Sequence, residues 1–195
     1  MSQDKPSRLD MYLQEYDKLK DEQTSRIGFR DNLLYVNLVT IGAVLSFIFS
    51  KDAAGGEGPK YVVLLVIPWI SIVLGWTYLI NDDKISNLGK YFETVLFTAI
   101  HKELGEDKEK DQFILGWETC NFTSKRRTRR KIEQLLMDEL AFVLPGIIAI
   151  AAFFRLTSSV DPILQFLSWI ELFIVISLGI EIFLYAEPWK LFKKP

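Results

Sequence analysis

The chain has 195 residues, 49% of them hydrophobic, a net charge of −2, one cysteine and one histidine. A single cysteine excludes an intrachain disulfide framework, and residues 81–139 mix both signs, eleven Lys/Arg against twelve Asp/Glu, so a uniformly basic surface for DNA or RNA is not indicated. The length fits one domain.

Residues 1–32 are polar and carry no apolar core of a cleavable signal peptide, so the first apolar block is expected to direct the chain to a membrane itself. Within this stretch Leu9, Tyr12, Leu13, Tyr16, Leu19, Gln23 and Ile27 recur at spacings of three and four, the period of an amphipathic helix. Lys18–Glu22 and Glu22–Arg26 stand four apart and can pair across a turn. Only Gly28 interrupts the pattern, which predicts one helix, or two collinear ones, from about residue 8 to residue 50. Its second part, 33–50, is the first membrane span.

Residues 51–60 (KDAAGGEGPK) read as an external turn, crowded with glycine and closed by Pro59. The second span, 61–80, contains Pro68, which is expected to kink it. Residues 81–139 form a cytoplasmic helical region. Ile85, Leu88, Phe92, Val95, Leu96, Ala99 and Ile100 give a second amphipathic helix ending near Gly105. A charged turn, a short apolar patch at Phe113–Trp117 and a third helix beginning in the run KRRTRRK follow. The third span, 140–156, is the shortest; Arg155 is expected to snorkel to the outer interface. An external turn at 157–162, a fourth span at 163–185 and a cytoplasmic tail at 186–195 complete the chain. A helix needs about 20 apolar residues, or a few fewer, to cross a hydrocarbon core of about 30 Å.

The positive charges give the orientation. Six Lys/Arg lie in residues 1–32, eleven in 81–139 and three after Tyr185, against two in 50–60 and one in 155–162. The positive-inside bias therefore places both termini and the long middle loop in the cytoplasm. The expected fold is an all-α membrane protein with four transmembrane helices and amphipathic cytoplasmic helices, N-in and C-in, in a bacterial inner membrane.

Glu171 and Glu181 stand ten residues apart in the fourth span, about 15 Å along a helix and about 80° around it. An acid inside a bilayer is expensive unless it faces protein, water or a partner. Together with Asn37 and Thr40 of the first span, they are the candidate polar pathway for cations or protons. The structural alternative is local neutralisation, for example a bond between Glu171 and Ser168. Gly42 and Ser46 form one face of small residues, and Ala141, Pro145, Ala149 and Ala152 another; both suit close helix packing. Four helices enclose little space, so a conducting route runs more plausibly between subunits of a homo-oligomer with closed symmetry. A tetramer is the first expectation.

The run Lys125, Arg126, Arg127, Arg129, Arg130 and Lys131 invites two readings. One is an anchor on anionic headgroups of membrane lipids. The other is a contact with a phosphate-bearing, nucleotide-type ligand, since guanidinium groups grip phosphate in a bidentate fork. No phosphate-binding loop, dinucleotide fingerprint, HExxH or nucleophile elbow occurs. His101 and Cys120 have no companion at metal-ligand or catalytic spacing. The sequence therefore predicts no enzyme, no cofactor and no metal site.

EYDKLKDEQTSRIGFRDNLLYVNL (Glu15–Leu38) and LGWTYLINDDKIS (Leu74–Ser86) resemble segments of a poorly characterised family of small bacterial four-span inner-membrane proteins. The architecture also resembles that of the membrane effectors of anti-phage defence systems. That resemblance implies an oligomer that conducts ions or perturbs the membrane when a cytoplasmic sensor triggers it. The alternatives are a non-conducting membrane anchor or scaffold, recruiting a soluble partner through Leu9–Leu19 and Phe92–Ile100, and a small secondary transporter. No repeat relates the two halves of the chain, which disfavours the transporter.

Overall fold

The computed structural model describes residues 7–50, 60–104, 127–157 and 160–186. The turn KDAAGGEGPK up to Pro59, the patch Phe113–Trp117, Cys120, Lys125, Arg126 and the tail after Ala186 lie outside the described residues. Among the described residues there is no strand. The described residues form six α-helices: α1 Arg8–Phe49, α2 Val66–Tyr91, α3 Phe97–Leu104, α4 Arg127–Asp138, α5 Leu144–Leu156 and α6 Pro162–Ala186. A 3-10 turn, Lys60–Leu65, leads into α2; a π-helical turn, Phe92–Leu96, joins α2 to α3, and another, Glu139–Val143, joins α4 to α5. Among the described residues, four helical runs are long and apolar enough to cross a membrane: Arg8–Phe49, Tyr61–Leu104, Arg129–Leu156 and Pro162–Ala186. The third apolar block, short by itself, therefore belongs to a helix of 28 residues.

Local chemistry explains where these helices begin. Ser7 caps α1 in a reciprocal box: the Asp10 amide donates to Ser7 Oγ at 3.1 Å, while the Ser7 amide and hydroxyl donate to Asp10 Oδ2 at 3.0 and 2.7 Å. Two otherwise orphaned backbone donors are satisfied at once. Asp161 caps α6, accepting the Ile163 amide on Oδ1 at 2.7 Å, and Pro162 fills the first helical position, where its missing N–H costs nothing. Pro68 lies just beyond a change of pitch in the second run. The chain adopts the tighter 3-10 pitch over Lys60–Leu65 and starts α2 at Val66, so Pro68 falls in the first α-turn, whose donors lack helical partners anyway. Asp82, Asp83 and Lys84 interrupt nothing, because α2 runs through them to Tyr91.

The chain divides into two compact units, residues 1–30 with 80–127 and residues 31–79 with 128–195. Helices α1 and α2 contribute to both. In the first unit Phe92, Leu96, Phe97 and Ile100 form a buried cluster, with Leu9, Tyr12, Tyr16, Leu19, Leu88 and Tyr91 packed around it. Tyr16 meets Phe92 edge to face, with ring centroids 5.4 Å apart. Lys20 Nζ stands 5.2 Å from the centre of the Phe92 ring, within range of a cation–π attraction. Polar contacts flank the cluster. Tyr91 donates to Glu15 at 2.7 Å, Asn81 Nδ2 donates to the Arg26 carbonyl at 2.7 Å, and Arg30 pairs with the buried Asp82 at 2.7 Å.

The second unit holds two apolar clusters. One joins Leu33, Ile72, Tyr78, Phe142, Val175 and Leu178 with their neighbours, and the other joins Leu64, Leu65, Ile67, Ala149, Ile150 and Phe153. Glycine sets the closest approaches. A Cβ added to Gly75 would lie 2.7 Å from Leu178 Cδ2 and 3.2 Å from Phe142 Cβ; one on Gly146 would lie 3.2 Å from Val175 Cγ2. One on Gly179 would lie 3.2 Å from Glu139 Oε2 and 3.3 Å from Val143 Cγ1. Helix backbones that approach so closely gain dispersion contacts, the main source of attraction between helices in lipid.

Candidate functional site

The second unit buries a polar clasp centred on Asn37, which is fully enclosed. Without an N–H, Pro145 cannot donate to the carbonyl of Ala141 four residues earlier, and a buried carbonyl left unpaired is costly. Asn37, arriving on α1, supplies a donor: its Nδ2 reaches the Ala141 carbonyl at 2.6 Å. The other end of the same amide is also engaged, since Ser71 Oγ of α2 donates to Asn37 Oδ1 at 3.1 Å. Three chain segments distant in sequence are thus tied by one side chain. The neighbouring Thr40 donates to its own helix, to the Val36 carbonyl at 2.8 Å.

Glu171 is the second buried polar feature. It lies near the middle of α6 with 2% of its surface exposed. The indole of Trp69 makes a side-chain hydrogen bond to its carboxyl group, and Oε2 has no hydrogen-bond partner among the described residues. Ser168 does not supply one, because its hydroxyl donates to the Leu164 carbonyl at 2.7 Å. Val175, one turn further along α6, is packed on Gly146. Glu171 therefore sits one turn from the contact that α6 makes with the start of α5. Glu181 has different surroundings: it is exposed, next to the exposed Ile180 and Phe183.

Of the basic run, the described side chains are Arg129, Arg130 and Lys131; for Arg127 only the backbone is described. Arg129 and Arg130 are exposed and Lys131 is half-buried. Arg129 Nε donates to Glu133 Oε1 at 2.8 Å, one turn away. His101 Nδ1 lies 2.6 Å from the Phe97 carbonyl of its own helix. Among the described residues, no group of three or more His, Cys, Asp or Glu could hold a metal ion.

Sequence reasoning named Asn37 and Glu171 but missed their surroundings. Ser71 and Trp69 carry no periodic signal that separates them from other span residues. The role of Pro145 was readable in principle, since any proline within a helix forfeits the donor to residue i−4; what cannot be read is which distant amide replaces it. The small faces also sort differently. Ala141 and Ala149 are buried, whereas Gly42 is on the open surface with nothing within 4 Å of an added Cβ. The tight crossings are at Gly75, Gly146 and Gly179.

Comparison with protein-family models, curated proteins and solved structures finds no match.

Proposed function

We propose that this chain is an oligomeric effector of the bacterial inner membrane that conducts protons or small cations when triggered from the cytoplasm. Anti-phage defence is the setting that the architectural resemblance implies. Glu171 carries the reading. An ionisable group at the middle of a membrane span costs several kcal/mol, and here it is held inside the helical unit with one oxygen unpartnered. A carboxyl group maintained in that position is suited to take up and release a cation or a proton. The clasp at Asn37 has both ends of its amide occupied and in this reading positions the helices around the route. Glu181, exposed on α6, would in this reading face a neighbouring subunit or the inner interface.

The second reading is a non-conducting anchor or scaffold that recruits a soluble partner. The faces Leu9–Leu19 and Phe92–Ile100, which a soluble partner would have to use, are packed on each other within the first unit.

The test is flux through liposomes containing the full chain. Glu171→Gln keeps the side-chain shape and an oxygen for Trp69 but removes the exchangeable charge. Proton or potassium flux in the triggered or leaky state is expected to fall at least tenfold, with the assembly intact by native electrophoresis. Unchanged flux and selectivity in this variant would remove Glu171 from the mechanism.

A further inference from the structure

We propose that residues 139–146 form a latched hinge in the third membrane-crossing run, and that the Asn37 amide is its latch. Four observations converge on this segment. The run changes pitch there, from α to π over Glu139–Val143 and back to α at Leu144. Single π-turns and prolines are the places where long helices bend, and here a π-turn and Pro145 are adjacent. The carbonyl of Ala141, which lies within the π-turn and which Pro145 cannot serve, is held from outside the helix by Asn37 Nδ2 at 2.6 Å, and Ser71 orients that amide through Oδ1 at 3.1 Å. The hinge rests on glycine on each side: Phe142 against Gly75, Val143 and Glu139 against Gly179, and Gly146 itself against Val175.

A carbonyl satisfied by its own helix stays satisfied when neighbouring helices move. One satisfied by a neighbour does not, so moving α1 relative to α5 breaks the bond. The latch is on α1, which also supplies residues 8–30 to the first unit. A displacement of α1 from the cytoplasmic side thus reaches Asn37 through one covalent element. Release frees α5 to pivot at Gly146, where it bears on Val175, one turn from Glu171. The latched state is the closed state. The link to conduction rests on the role proposed for Glu171; the hinge itself does not.

The experiment is a double-substitution cycle on the full chain in lipid, read by hydrogen–deuterium exchange of peptides covering 139–150 and by resting flux. Asn37→Ala, and Asn37→Leu, which fills the same space without a donor, are expected to speed exchange in this segment about tenfold and to raise resting flux in the same direction. This follows from the loss of one buried hydrogen bond. Pro145→Ala supplies a backbone donor that Ala141 can accept once the segment takes α register; in that background, removing Asn37 is expected to change neither quantity. Additive effects of the two substitutions, or loosening spread evenly over all four spans, would overturn the hinge. Unchanged exchange with Asn37→Leu would overturn it even if Pro145→Ala failed to fold. A cycle that holds in exchange while Glu171→Gln leaves flux untouched would keep the latch and discard the conduction route.

Discussion

Tyr91 illustrates how one side chain couples the first unit to pH. Its phenol donates to Glu15 at 2.7 Å. That hydrogen bond, followed by burial, raises its pKa above the ordinary tyrosine value of 10.0. The folded state holds the phenolic proton more tightly than the unfolded chain does. The contribution to stability is therefore complete below the ordinary value and is lost as pH rises through the raised one. Phenolate absorbance is expected to show Tyr91 as a late-titrating component that Tyr91→Phe removes. The same substitution is expected to lower the stability of the unit at neutral pH by about 1 kcal/mol, the net worth of one hydrogen bond. Asn37 shows what was legible at this scale. A polar residue in an apolar block announces that it has a partner, because lipid offers none. It does not announce whether that partner is an ion, a water file or the carbonyl of Ala141, which is 104 residues away.

Helices were the most legible elements, since their apolar periods and caps are local properties. The start of α1 at Arg8, after Ser7, follows from the capping box; the departures follow from proline. Pro68, expected to kink the second span, lies just beyond the change of pitch from 3-10 to α at Val66. The general lesson is that a proline removes one donor, and the chain has several ways to place that loss. Close crossings were less legible, because a small residue is compatible both with tight packing and with open surface. Gly75→Ala is expected to destabilise by about 1–3 kcal/mol through overpacking, since its new methyl meets Leu178 and Phe142. Gly42→Ala is expected to cause no such loss, because its position is open. Thermal unfolding of both variants in the same detergent checks the contrast, and an equal effect of the two would contradict the packing described.

For the whole molecule, the charge asymmetry is the strongest statement of the sequence, and among the described residues four helical runs are apolar enough to cross a membrane. Orientation follows from charge alone and has a direct check. An impermeant thiol reagent applied to intact cells is expected to spare the native Cys120 and to label Asp161→Cys in a Cys120→Ser background. Labelling of Cys120 would invert the topology. Detergent-solubilised protein is expected to migrate as a closed homo-oligomer, four protomers being the first expectation; a monomer in several mild detergents would argue against a route between subunits. No turn marks the boundary between the two units, because α1 and α2 each run through it; the composition does change near it, from polar to apolar after residue 32 and from apolar to charged after residue 80.

The clasp also bears on biosynthesis. A ribosome makes α1 first, and Asn37 enters the lipid well before its acceptor exists. Ser71 follows 34 residues later and Ala141 only after 104, an interval of about 5–20 s at ordinary translation speeds. During that time a polar amide stands in hydrocarbon with an incomplete set of partners. The first helix is thus a temporary client of the insertion machinery until the third arrives to complete its bonds.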